Sequence, residues 1–226
     1  MRKYLPLLIA IILIPNAVFA AWTYTQNFNS LSDGDLNGQD SWSGDTTFDV
    51  QATVSSDAGK SVEYANAAEG LIQRTITGVT DGTMRIELRK DTTLLGNMQV
   101  GLGKGDWGTG SNRLAIVGLG YNLNFDKIYW ISAGTSEATI QSFSASTFYT
   151  IDIDFDCGTD QYRVRVDEGT YTSFANFYDN GTCTEVTNII FRKQDGFTSA
   201  SYWDNVSAAA AAATAIDNVF SYSFWW

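Results

Sequence analysis

The alternation of apolar and polar positions is clearest from Phe148 to Gly169, FYTIDIDFDCGTDQYRVRVDEG. Ile151, Ile153 and Phe155 alternate with Asp152, Asp154 and Asp156; Tyr162, Val164 and Val166 then alternate with Arg163, Arg165 and Asp167. Strand side chains point to opposite faces with a period of two, so each run predicts a strand with one apolar and one charged face. Gly158, Thr159 and Asp160 supply turn chemistry between the runs, which predicts a β-hairpin. Its apolar faces need a second layer to cover them, and a sheet packed on a sheet supplies it.

Short runs of the same kind recur at 48–54, 61–65, 70–77, 82–90, 97–103, 113–121, 127–133, 137–143, 171–175, 185–192 and 200–206, most of them separated by Gly, Asn, Asp or Ser. Evenly spaced short strands with turn residues between them predict an all-β sandwich or barrel. No stretch has a convincing helical period. Residues 21–50 mix strand and loop: 22–28 (WTYTQNF) reads as strand, and 30–45 carries Asp33-Gly34, Asn37-Gly38 and Ser43-Gly44 and reads as a loop, with Trp42 anchoring it at the edge of the core. One domain over 21–207 is expected.

The two ends differ from this middle. Residues 1–20 have a basic start (Arg2, Lys3), an apolar run from Leu5 and a small-x-small site at Ala17 to Ala20, the pattern of a cleaved signal peptide. Residues 208–226 form an alanine run followed by Phe220, Tyr222, Phe224 and Trp226 at alternate positions. That tail is expected to be a linker plus an aromatic strand, packing on its own sandwich or self-associating with a neighbour's sheet edge.

Composition narrows the chemistry. Net charge is −11, and loss of Arg2 and Lys3 would make the mature chain more acidic still, which disfavours nucleic acid and anionic membranes. The chain has no His, which removes the usual zinc ligands, Ser-His-Asp triads and His general bases. Cys157 and Cys183 are its two cysteines, and in an exported chain they are expected to form a disulfide. Strands of mostly 6–8 residues fall short of the roughly 9–11 that cross a bilayer, so no membrane insertion is expected after processing.

Three segments together resemble the concanavalin A-like (laminin-G-like) jelly rolls, in their secreted bacterial form. They are the hairpin above, the opening FNSLSDGDLNGQDSWSG, and the ending TNIIFRKQDGFTSASYWDNVS with its Ile-x-Phe-Arg strand and Tyr-Trp-Asp-Asn-Val close. The resemblance spans residues 21–207. It implies a two-sheet antiparallel jelly-roll sandwich, in a superfamily whose members bind glycans, cleave polysaccharides or serve as adhesion modules; the fold alone does not choose among these.

Candidate site residues follow. Asp152, Asp154 and Asp156 are similar to the acidic strand motif of laminarinase-type glycoside hydrolases, but with Asp where those carry Glu, one methylene short for a two-carboxylate mechanism. Arg85-Ile86-Glu87-Leu88-Arg89 resembles a strand of jelly-roll alginate lyases, but the His and Tyr-Lys elements of those enzymes are missing. Alternation puts Arg85, Glu87 and Arg89 on one face, where Arg forks suit acidic sugars. Trp107, in the glycine-rich Gly105–Gly110 loop, is the expected exposed stacking plate. Asp33, Asp35 and Asp204 are the oxygen ligands a structural calcium would use, with a hydrogen-bonded structural Asp204 as the alternative. The expected function is a secreted, non-catalytic carbohydrate-binding or adhesion module with a polysaccharide or glycan as partner. The alternatives are a lyase or glycoside hydrolase on the same fold, and a surface or filament subunit built through its C-terminal strand.

Overall fold

The computed structural model describes residues 22–209, apart from 95, 122–123, 133–135, 179 and 195–198. The expected signal peptide and the aromatic tail beyond Ala209 lie outside the described residues. The strands are β1 (Gly34–Asp35), β2 (Trp42–Gly44), β3 (Asp49–Gln51), β4 (Ser61–Tyr64), β5 (Gly70–Val79), β6 (Asp81–Lys90), β7 (Asn97–Gly103), β8 (Arg113–Tyr121), β9 (Asn124–Ser132), β10 (Ser136–Ser142), β11 (Phe148–Asp156), β12 (Gln161–Val166), β13 (Ala175–Asn176), β14 (Val186–Gln194) and β15 (Ser201–Ala208). They form two antiparallel sheets. One has eight strands in the order β1-β3-β4-β15-β6-β11-β12-β13; the other has seven, in the order β10-β9-β8-β7-β14-β5-β2. The molecule is a jelly-roll sandwich.

The 148–169 hairpin forms as its alternation predicts, with Ile151 opposite Val166, Ile153 opposite Val164 and Phe155 opposite Tyr162. Those six side chains, together with Met84, Ile86 and Leu88 of β6, are buried against the other sheet. From that sheet come Val100 and Leu102 of β7, Val117 and Leu119 of β8, and Ile189 and Phe191 of β14. Trp42 goes deeper than an edge anchor: its ring centroid lies 4.4 Å from that of Phe191, and Phe191 stacks on Trp203 at 5.4 Å.

Some local expectations change. The segment 30–45, expected as loop, contributes β1 and β2 to the sheet edges, each through a few backbone pairs, while the strand expected at 22–28 makes a single bridge, Gln26 to Val206. The run 171–175 is a strand only at its end, in β13. Asp167 and Glu168 take φ of 49° and 60°, left-handed values that turn the chain away from the ladder after β12. Cys157 and Cys183 are disulfide-bonded, with Cα atoms 4.8 Å apart, joining the end of β11 to the segment before β14.

Candidate functional site

The outer faces of the two sheets differ in kind. On the eight-stranded sheet, residues alternate with the core side chains to give a charged face, and the charges at its centre on β6, β11 and β12 pair with one another. Asp152 on β11 is 1% exposed and lies between two arginines. Arg85 Nε and Nη2 donate to it at 2.8 and 3.0 Å, and Arg165 Nε at 2.6 Å. The two-pronged hydrogen bond to Asp152 raises the Arg85 pKa further above its ordinary value. Asp154 accepts from Arg163 at 2.7 Å and from Thr83. Arg163 and Arg165 are capped in turn by the Tyr171 ring, at 4.4 and 4.6 Å.

The residues that the sequence offered for ligand binding on this face have internal partners. Arg85 serves Asp152, Glu87 accepts from Asn205 Nδ2 at 2.8 Å, and Arg89 donates to Asp91 at 2.8 Å beside the Tyr202 ring. Alternation placed all three on one face correctly, because Ile86 and Leu88 are fully buried between them. What it could not show is the register that sets Asp152 opposite Arg85.

The expectation of an exposed Trp107 needs correction. The side chain is 1% exposed and belongs to a small second apolar cluster with Ile116, Tyr129, Ile131 and Ile190. Gly101 makes the room: a Cβ there would come within 2.3 Å of the Trp107 indole. A glycine-rich loop was read as exposed, but it folds over a strand that has glycines of its own beneath it.

Nor are the proposed calcium ligands gathered. Asp33 pairs with Lys60 at 2.8 Å, and Asp35 accepts from the Asn37 backbone. Asp204 is fully buried and accepts from Ser56 N and Oγ and from Asn205 N. Burial pushes its carboxyl up to about 6, while the Ser56 and Asn205 hydrogen bonds pull the other way. Among the described residues no group of three or more acidic, His or Cys side chains is placed to hold a metal ion.

Clefts of about 460 Å³, lined by Asp81, Thr83, Asp154, Asp156 and Phe174, and of about 440 Å³, lined by Gln26, Asn27, Ser30 and Asn205, open along the eight-stranded sheet, and the outer face of the seven-stranded sheet offers a further place for a ligand. Its strands carry few charges: β7 is NMQVGLG and β8 begins RLAIVGLG. The small second cluster covers part of this face. Beside it opens a cleft of about 280 Å³, lined by Gln99, Arg113, Glu137, Tyr178, Arg192 and Gln194 above Ile116 and Ile131. A chain of hydrogen bonds runs beneath it. Asn97 Nδ2 donates to Gln194 Oε1 at 3.4 Å, Tyr129 OH donates to Asn97 Oδ1 at 2.7 Å, and Gln99 Nε2 donates to the Tyr129 oxygen at 2.8 Å. Arg192 Nη1 donates to Gln99 Oε1 at 3.4 Å and is held from the rim by Glu69. Full burial raises the Tyr129 hydroxyl pKa above its ordinary value, so it stays a neutral donor.

Arg113 sits at the start of β8 with its Nε donating to the Trp107 carbonyl at 3.0 Å. Its guanidinium carbon lies 5.5 Å from the Trp107 ring centroid and 5.9 Å from that of Tyr178. Tyr178 is fixed by its backbone N–H to Leu114 O at 2.7 Å, and its segment is tethered five residues on by the Cys157–Cys183 disulfide. Sequence reasoning missed this cleft. The available signal was the scarcity of charge on both faces of β7 and β8, which marks a sheet face that is not simply solvated.

No family model matches the chain, and no curated protein matches it. Solved structures do. A glycoside hydrolase family 16 endo-glucanase from Bacteroides ovatus aligns at 12% identity over 82% of this chain and 99% of its own, with a TM-score of 0.55. The globular domain of T. cruzi calreticulin aligns at 9% identity over 77% and 86%, with a TM-score of 0.54. A sialidase aligns at 13% identity over 79% of this chain with a TM-score of 0.58, and this chain spans 18% of the sialidase. The fold is the concanavalin A-like jelly roll.

Proposed function

We propose that this chain is an exported, non-catalytic carbohydrate-binding module whose glycan occupies the cleft on the seven-stranded sheet. The observation that carries the reading is the cleft's lining: two amides, two guanidinium groups and a tyrosine over an apolar floor, with Glu137 as its one carboxylate among the described residues. Amide and guanidinium groups match sugar hydroxyls, and an aromatic side chain offers an apolar edge beside a polar tip. Glycoside cleavage of the usual kind takes two carboxyl groups flanking the bond, about 5–5.5 Å apart for retention or about 6.5–9.5 Å for inversion. A single Glu137 does not supply the pair. Asp152, Asp154 and Asp156, the acids of the hydrolase-like strand, belong to the opposite sheet, where Asp152 and Asp154 are held in ion pairs and Asp156 accepts from Gly158 N and Thr159 Oγ1. The fold is shared with a structure described as an endo-glucanase, which supports a carbohydrate ligand for this chain. The disulfide supports export to an oxidising compartment.

The test is a pull-down on a panel of soluble and insoluble polysaccharides, with product release measured in the same samples. Binding without new reducing ends or unsaturated uronates is expected. Release of either that disappears in Glu137→Gln would make the protein an enzyme, and no binding to any polysaccharide would remove the reading.

A further inference from the structure

We propose that Arg113 receives the carboxylate of an acidic sugar residue, so that the cleft selects uronate-containing glycans over neutral ones. The inference rests on the cleft being the glycan site. What singles out Arg113 is the electrostatic state of the chain's other arginines. Arg85 and Arg165 pair with Asp152, Arg163 with Asp154, Arg74 with Asp40, Arg89 with Asp91 and Arg192 with Glu69. Arg113 is the one described arginine without a carboxylate partner, in a chain with 25 acidic residues against 14 basic ones. With acidic groups in such excess, a guanidinium that none of them pairs and that lines a cleft is suited to an anion from outside.

The geometry of the group fits that role. The Nε hydrogen bond to Trp107 O, with aromatic rings of Trp107 and Tyr178 nearby, fixes the guanidinium and leaves its terminal N–H groups to make a two-pronged contact. A planar carboxylate matches that fork with two parallel hydrogen bonds, and a pre-positioned guanidinium loses little freedom in making them. The cleft's volume of about 280 Å³ lies just below the range of drug-sized ligand sites, about 300 to 1,000 Å³, and suits one sugar residue of a chain more than an extended stretch. Glu137 on the same cleft keeps the local positive charge low, which favours a single carboxylate over densely sulfated chains. Gln194, on the same cleft, then offers its amide N–H groups to the ring hydroxyls.

The experiment compares an oligogalacturonate with the same oligosaccharide after reduction of its carboxyl groups, and with a sulfated neutral glycan, by calorimetry. Wild type, Arg113→Gln and Arg113→Lys are used, with thermal unfolding confirming that each variant is folded. Wild type should bind the uronate form at least tenfold more tightly than the reduced form, and the preference should shrink at high salt. Arg113→Gln should lose at least tenfold more affinity for the uronate form than for the reduced form. Arg113→Lys, which keeps the charge and loses the fork, should fall between. Equal affinity for the uronate and reduced forms would overturn the carboxylate assignment while leaving carbohydrate binding in place. Tighter binding of the sulfated glycan would replace the carboxylate with a sulfate ester, and binding of none of the three would count against the cleft as a glycan site.

Discussion

Arg85 and Arg113 show how one residue type is given two jobs by its surroundings. Arg85 neutralises a carboxylate that is 1% exposed, and its removal would leave Asp152 buried with Arg165 as its remaining cation. Breaking a buried pair by removing one partner costs about 3–5 kcal/mol, and the second arginine places Arg85→Ala toward the lower end. Urea unfolding should therefore show a loss of about 3 kcal/mol, with glycan affinity unaltered. Arg113→Gln should do the reverse, altering binding and barely altering stability. Two buried lysines make a separate residue-scale prediction. Lys90 donates to the carbonyls of Leu94 and Gly96, and Lys193 to those of Asn66 and Ser199, and both side chains are 1% exposed. Burial lowers Lys90 and Lys193 to about 8, with Lys193 adding to the effect on Lys90. Each folded pKa lies below the ordinary 10.5, so between about pH 8 and 10.5 the folded chain binds fewer protons than the unfolded one. Stability should then rise with pH across that window, by on the order of 1–3 kcal/mol. Denaturation midpoints at pH 7.5 and 10 check this, and Lys90→Met should reduce the slope.

At the scale of elements, the disulfide couples stability to the site. It closes a span of 26 residues that includes β12, β13 and Tyr178. In the loop-entropy view, opening a loop of that length costs about 3 kcal/mol. Cys157→Ser/Cys183→Ser should lower stability by about that amount in chemical denaturation. It should also weaken glycan binding, because the segment that holds Tyr178 against Arg113 loses its tether. A drop in stability with unchanged affinity would mean that the hydrogen bond from Tyr178 N to Leu114 O holds the segment unaided. The hairpin shows why some elements were readable and others were not. β11 and β12 have strict alternation, and β7, β8 and β15 fall within a residue or two of the expected bounds. β1 and β2 have only two and three residues, too few to show a period. They exist because the edges of a sandwich already formed offer them backbone partners.

For the whole molecule, the two outer faces differ in charge. The eight-stranded sheet carries a charged face with ion pairs across β6, β11 and β12, and the seven-stranded sheet carries a sparsely charged face with the cleft of Arg113 and Gln194. A ligand that binds only the folded state stabilises it by mass action, by about 2.7 kcal/mol at a hundredfold excess over Kd. A domain of this size shifts its midpoint by about 2–4 °C per kcal/mol, so a bound oligosaccharide should raise Tm by about 5–10 °C in calorimetry. The same experiment on Arg113→Gln should show a smaller shift.

Alternation along the chain was enough to determine an all-β sandwich, the buried faces of β6, β11 and β12, and the single face shared by Arg85, Glu87 and Arg89. These are local consequences of a two-residue period, and they do not depend on which strands become neighbours. The lack of His likewise removed imidazole as a catalytic or ligating group. Strand order and register belong to the tertiary structure. They set Asp152 opposite Arg85, turning two candidate ligand groups into one ion pair, and they put Trp107 over Gly101, turning a presumed surface plate into core. They also brought Gln99, Arg113, Tyr178 and Arg192 to one cleft from β7, β8, the segment before β14, and β14 itself. These residues are up to 93 positions apart in the chain, as in the contact of Arg192 with Gln99, and no local pattern marks them as neighbours. An arginine's partner is a fact about space, and only the folded chain shows that Arg113 has no carboxylate partner among the described residues.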